Sequence, residues 1–287
     1  MRRLLVSISL LSLPILAWAS TAGPPPASRA TELVEAYNGR SFGNPGWRRV
    51  QLELKSGQTV TRTLTVANIW REEGGVVRTL FVLERPQGLK GTNYLLTEAP
   101  HDPWGMKVFL HLPAGRRRVL SIQPSRLDEG LLGSDFGYRD LRMKIPIAGY
   151  RLRLLGRRHL AGQSVWAVES VPESPEAQQG SSWSRSVYYL SARDPVLLGA
   201  DHFLSLRDTR PAKQMRVHGY KRIDGAWTET RIVMSSADGR SSVLSLEGFR
   251  AGVAGLDSSF FVPEDLPSAA DRLASLRLGA GSKGKSP

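Results

Sequence analysis

Thr59-Val60-Thr61-Arg62-Thr63-Leu64-Thr65-Val66 places polar side chains at every second position, with Val60, Leu64 and Val66 between them. Successive strand side chains point to opposite faces, so this period of two predicts a strand with one face buried. The same period extends outward in both directions. Leu152 and Leu154 alternate with Arg151 and Arg153. Similar runs lie near Val76–Glu84, Tyr94–Glu98, Lys107–Leu112, Arg117–Ile122, Ser164–Ser170, Ser186–Leu190, Met215–Tyr220, Trp227–Ser235 and Ser241–Gly248. Between the runs stand Ser56-Gly57, Gly74-Gly75, Asp224-Gly225 and Asp238-Gly239, dipeptides that tolerate the positive φ of hairpin turns. Strands joined by tight turns pair antiparallel. The chain therefore reads as a mainly β (α+β) meander of about ten or eleven strands, too many to stay flat and expected to curl into a barrel or incomplete barrel.

Two other segments stand out from the meander. Ser28 to Tyr37 predicts one amphipathic helix, with Leu33, Val34, Ala36 and Tyr37 apolar and Asn38-Gly39 as its stop. Pro172 to Ser182, rich in Glu, Gln, Ser and Pro, reads as a mobile hairpin connection.

The N-terminus carries an address. Met1-Arg2-Arg3, the apolar run Leu4 to Leu16 and the small-x-small site Ala17-Trp18-Ala19 have the three regions of a cleavable signal peptide in order. About a dozen apolar residues fall short of the roughly 20 that span a bilayer. The expected organisation is a signal peptide at 1–19, a Pro-rich tether at 20–27, a single β domain at 28–267 and a low-complexity basic tail at 268–287. There is no cysteine among the 287 residues. A lipobox acyl anchor, disulfides and Cys-ligated zinc are thereby excluded, and a soluble exported protein is expected. The formal net charge of +13 favours anionic partners. No nucleic-acid recognition motif accompanies it, so anionic lipid or an acidic protein face fits better than nucleic acid.

Several stretches look chemical and have plainer readings. Gly279 to Ser286 fits the phosphate-loop letters, but no strand precedes it and the sequence ends at Pro287, leaving no room for the helix that aims N–H groups at phosphate. Gly162-Gln163-Ser164-Val165-Trp166 starts like a nucleophile elbow but lacks the closing glycine and reads as a strand start. His101, His111, His159, His202 and His218 are dispersed, without helical spacing for a metal pair. The basic clusters Arg116-Arg117-Arg118 and Arg157-Arg158 are either solvated loop tips or docking points for an anionic partner. Gly130 to Lys144 is the most informative segment. Ser134 or Asp135 is placed to cap a short helix through Leu141, with Phe136, Tyr138 and Leu141 as its apolar side.

Gly133-Ser134-Asp135-Phe136-Gly137-Tyr138-Arg139-Asp140-Leu141 resembles the G-S-D-F-S-Y-E-D-L signature of the outer-membrane lipoprotein-sorting proteins, a LolA/LolB-like family. Upstream, Arg85-Pro86, Lys90-Gly91-Thr92 and Leu95, then Trp104, Leu112-Pro113, Arg117 and Val119, resemble that family's segments in the same order. Two positions depart from it: Gly137 stands for serine, and Arg139 for glutamate, which reverses a charge.

The resemblance implies an incomplete antiparallel half-barrel whose concave apolar face is covered by a few short helices, with acyl chains held between. It implies no cofactor and no covalent step. Its partners would be lipid or lipoprotein acyl chains in the periplasm, an anionic membrane surface and, by analogy, an inner-membrane exporter of the resistance-nodulation type. The expected function is thus a non-catalytic periplasmic carrier or chaperone that moves acyl chains between membranes. Trp104, Phe109, Phe136, Tyr138 and Leu141 are the candidates for lid or cavity lining, each with plain core as the alternative. A lipid-reading envelope sensor on the same scaffold is the second reading. A hydrolase using Asp128, Glu129, Asp135 or Asp140 is the third.

Overall fold

The structure, a computed structural model, describes residues 28–102, 104–113 and 118–276. The signal peptide, the tether, Arg116 and Arg117, and the end of the basic tail lie outside the described residues. Helix α1 (Arg29–Asn38) starts where expected. Ser28 Oγ accepts from the Thr31 N–H at 3.2 Å, and Gly39 closes the far end. Its buried face is Ala30, Val34 and Tyr37, spaced four and three residues apart.

Strands β1 (Gly46–Ser56), β2 (Thr59–Glu73), β3 (Val76–Arg85), β4 (Asn93–Glu98), β5 (Met106–His111) and β6 (Val119–Ile122) form a first meander. A second meander comprises β7 (Tyr150–Leu160), β8 (Gln163–Pro172), β9 (Arg185–Ser191), β10 (Leu197–Phe203), β11 (Lys213–Ile223), β12 (Ala226–Ser236) and β13 (Arg240–Ala251). Pairing of β1 with β13 joins the two into one 13-stranded antiparallel sheet, in the order β6-β5-β4-β3-β2-β1-β13-β12-β11-β10-β9-β8-β7. The sheet is not closed: β6 and β7 are its two edges. Residues 123–149, which join these edges, must therefore travel from one side of the sheet to the other, and they do so over one of its faces.

The turns form as the dipeptides predict, with Gly57, Gly74, Gly75, Asp224, Gly225 and Gly239 all at positive φ. Alternation then divides the side chains. Val50, Leu52, Leu54, Leu64, Val66, Phe81 and Leu83 enter the larger core, shared with α1 and the crossing segment. Ala67, Ile69, Leu80, Val82 and Leu95 point to the other face, where Val253, Leu256, Phe261, Leu266 and Leu273 cover them.

Three expectations are corrected. The strands number thirteen, and one absent from the sequence reading is β10. All seven of its residues are buried, so it lacks the alternation that marks a half-exposed strand. Residues 172–182 contain a short helix, α2 (Pro175–Gln179), capped by Ser174 Oγ on the Ala177 N–H at 3.2 Å, with Ala177 buried. The ordered domain also runs past residue 267 into helix α3 (Ala269–Ser275), because Ala269 and Leu273 fill the second core.

Candidate functional site

The crossing segment and the second meander enclose a cavity of about 120 Å³. Its apolar wall includes Leu197, Met215, Ile232 and Leu244 from the sheet, with Phe136 and Leu141 from the crossing segment. Arg40, Arg48, Arg142 and Lys144 also reach it, as do Asp140, Glu229 and His202.

The segment over the cavity is held by polar bonds at several points. Asn38 on α1 donates through Nδ2 to the Ile145 carbonyl at 2.9 Å and accepts from the Ile145 N–H at 2.8 Å. Both oxygens of buried Glu98 accept from the Met143 N–H, and one also accepts from the Lys144 N–H at 3.2 Å. Asp135 reaches across to β12 and β13: Ser236 Oγ donates to one carboxylate oxygen at 2.7 Å and Ser242 Oγ to the other at 2.8 Å. Ser242 Oγ in turn accepts the Asp135 N–H at 2.9 Å.

The signature segment does not form the helix expected from Ser134 or Asp135. Asp135 is engaged with the sheet, and Ser134 Oγ donates to the Phe136 carbonyl at 3.3 Å. A single helical turn starts three residues later, at Tyr138–Leu141, where Asp140 accepts the Gly137 N–H at 2.7 Å. Both departures from the family signature have local reasons. A Cβ at Gly137 would stand 2.9 Å from the Asp128 carbonyl oxygen, closer than real Cβ atoms come. Arg139 is buried against Asp128, donating from Nε at 3.2 Å, so its reversed charge is neutralised inside the protein.

Of the candidate lining residues, Phe136 and Leu141 border the cavity. Tyr138 is buried beside it, its ring centroid 5.7 Å from that of Tyr94. Trp104 does not belong to the site: it is 46% exposed, in the turn between β4 and β5. Phe109 is also misplaced. Met106, Val108 and Leu110 occupy the cavity face of β5, so strand alternation sends Phe109 to the second core. Gly133, the first residue of the signature, takes the positive φ at the end of a helical turn. Arg118, Arg157 and Arg158 are exposed, Arg118 beside β6 and the other two on β7.

The four carboxylates considered for hydrolysis are committed elsewhere. Asp128 holds Arg139, Glu129 pairs with Arg126, Asp135 takes two serines, and Asp140 binds Lys213. A cluster absent from the sequence reading lies in the cavity wall, where Ser186 Oγ is 2.8 Å from His202 Nδ1 and Trp183 stacks on the imidazole. Burial lowers the pKa of His202, with Asp140 opposing and Lys213 adding to the shift. His202 Nε2 stands 3.8 Å from Asp140, beyond hydrogen-bond distance, so the serine–histidine–aspartate set is not a connected relay. Among the described residues no group of three or more His, Cys, Asp or Glu could hold a metal ion, and no helix is long and apolar enough to cross a membrane.

An open antiparallel sheet with a connection laid over its concave face is the LolA-like fold, a carrier type of architecture. A solved outer membrane lipoprotein-sorting protein domain from Vibrio parahaemolyticus shares it, at 22% identity and a TM-score of 0.72, covering 82% of this chain and 97% of that one. A DUF1329 family protein from Desulfovibrio piger is similar at 21% identity and a TM-score of 0.73, covering 82% and 96%. A LolA superfamily protein from Nitrosomonas europaea aligns at 15% identity and a TM-score of 0.62, covering 82% and 98%. The family model that matches is described as an uncharacterized protein and spans residues 75–268, more than half of the chain. The chain belongs to that family, DUF1329. No curated protein matches the sequence.

Proposed function

We propose that the protein is a periplasmic carrier that takes the acyl chains of a lipid or lipoprotein into the cavity beneath the crossing segment and moves them between membranes, without catalysis. The cavity is the observation that supports this reading. Its sheet wall is apolar, and burying hydrocarbon there is worth about 0.8 kcal/mol per CH₂. The free space of about 120 Å³ is smaller than the roughly 300–1,000 Å³ of ordinary ligand pockets, so loading requires the crossing segment to move outward. Protein purified from its native periplasm is expected to carry lipid detectable by native mass spectrometry. A reproducibly empty protein that also fails to take up a fluorescent fatty acid would overturn the reading.

Loading also requires contact with a membrane. Arg118 and the Arg157-Arg158 pair stand exposed by the two sheet edges where the crossing segment begins and ends. Each such side chain near an anionic bilayer contributes about 1 kcal/mol. Reversing the three charges is expected to weaken binding to vesicles of phosphatidylcholine and phosphatidylglycerol, and unchanged co-sedimentation would remove this docking surface. The handover partner expected by analogy is an inner-membrane exporter of the resistance-nodulation type.

A further inference from the structure

The cavity wall carries more positive than negative charge, and most of the excess is neutralised locally. Arg139 has Asp128 at 3.2 Å, Lys144 has Glu72, and Arg40 faces Glu229 at 4.0 Å. Arg48 and Arg142 differ. Both line the cavity and both are partly buried, yet among the described residues neither has a carboxylate at ion-pair distance. Arg48 Nε donates to the amide oxygen of Asn68 at 3.1 Å, with its guanidinium 5.8 Å from the Trp70 ring. Arg142 Nε meets only the Met106 sulfur, at 3.4 Å. The neighbouring acid, Glu98, is turned to the backbone N–H groups of Met143 and Lys144.

Two further donors in this region have no acceptor. Asn68 Nδ2, on the amide that receives Arg48, and Arg40 Nε are buried and unpartnered. The region is thus rich in donors and poor in acceptors. A guanidinium withdrawn from water without a counter-charge is costly, and an anion accepting its hydrogen bonds would relieve that cost. Across the same cavity Met215, Ile232 and Leu244 offer only hydrocarbon.

We infer that the cavity is built for an amphiphile with a single anionic head group, a carboxylate or a phosphate, bound by Arg48 and Arg142, with its hydrocarbon against Met215, Ile232 and Leu244. This rests on the carrier reading and narrows its ligand to anionic chains.

The test is isothermal titration of the purified protein with dodecanoate, dodecyl phosphate and dodecanol, which share one chain and differ in the head. The better anion is expected to bind about tenfold or more tightly than the alcohol, as hydrogen bonds to charged groups imply. In the Arg48→Gln, Arg142→Gln double variant the difference is expected to shrink to about twofold while dodecanol binding stays unchanged, and Arg48→Lys with Arg142→Lys should restore much of it. Preference for dodecanoate assigns a fatty acid, and preference for dodecyl phosphate a phospholipid. Equal binding of anion and alcohol by the wild-type protein overturns the inference while leaving the carrier reading intact, and so does discrimination that survives the glutamine variant. The wild-type comparison alone decides the matter if the variants do not fold. Failure of all three probes to bind overturns the carrier reading as well.

Discussion

Asp135→Ala is expected to destabilise the protein by about 3 kcal/mol, because it leaves two serine hydroxyls without their acceptor, one of them fully buried. For a domain of this size that corresponds to a fall in melting temperature of roughly 6–12 °C. The loss falls on a bond that spans the fold, since Asp135 belongs to the crossing segment while Ser236 and Ser242 belong to β12 and β13. Freed at this point, the segment should lift from the concave face and uncover Leu244 and Met234. An environment-sensitive apolar dye should then bind more strongly below the transition. Asp135→Asn, which retains one oxygen, is expected to lose about 1 kcal/mol. A melting temperature unchanged in Asp135→Ala, with no gain in dye binding, would mean that the segment is held by its other contacts alone. Those are substantial: Asn38 grips Ile145 with two bonds, and Phe136 is buried in the main core.

How far the sequence revealed this arrangement depended on whether the signal was local. Alternation in β2 and glycine in the turns are imposed by neighbouring residues, so the antiparallel meander could be read directly. β10 could not, because Leu-Leu-Gly-Ala-Asp-His-Phe is covered on both faces and its polar Asp201 and His202 are satisfied by Tyr189, Arg216 and Ser186. Phe109 was assigned to the wrong face although the information was present. Met106, Val108 and Leu110 share one parity, and the residue between must face away. Trp104 carried no such cue; its exposure follows from a turn in which Asp102 accepts its N–H at 3.0 Å.

The candidate site was legible only where the chain is continuous. Phe136 and Leu141 belong to one segment with a recognisable signature. Arg48 and Arg142 belong to different halves of the chain and meet one cavity only because the connection from β6 to β7 crosses the sheet. One hint was available. Arg48 lies on β1 near the inward row Val50, Leu52 and Leu54, and an arginine there requires a counterpart that the local sequence does not supply. The Ser186–His202 contact is of the same kind, brought about by the pairing of β9 with β10.

Glu98→Gln is expected to abolish a fall in stability that the wild-type protein shows as pH rises. Burial raises the Glu98 pKa from an ordinary 4.5 to about 7, although the Met143 N–H, Arg142, the Lys144 N–H and Arg40 all pull it down. Below about pH 4.5 the folded and unfolded chains both hold the proton, and this group gives no slope. Between that value and about 7 the unfolded chain has released its proton while the folded chain keeps it, so rising pH favours unfolding. Above about 7 both are ionised and the slope ends. The gap between the two pKa values corresponds to a loss on the order of 3 kcal/mol across the window. Glutamine retains an oxygen for the Met143 and Lys144 N–H groups and carries no charge, so the variant's stability should stay level where the wild type declines. The measurement is urea unfolding of both proteins at about pH 5 and about pH 8, read as the difference between them so that other titrating groups cancel. Parallel curves would mean that Glu98 is ionised throughout the window, which would require the crossing segment to leave it open to water.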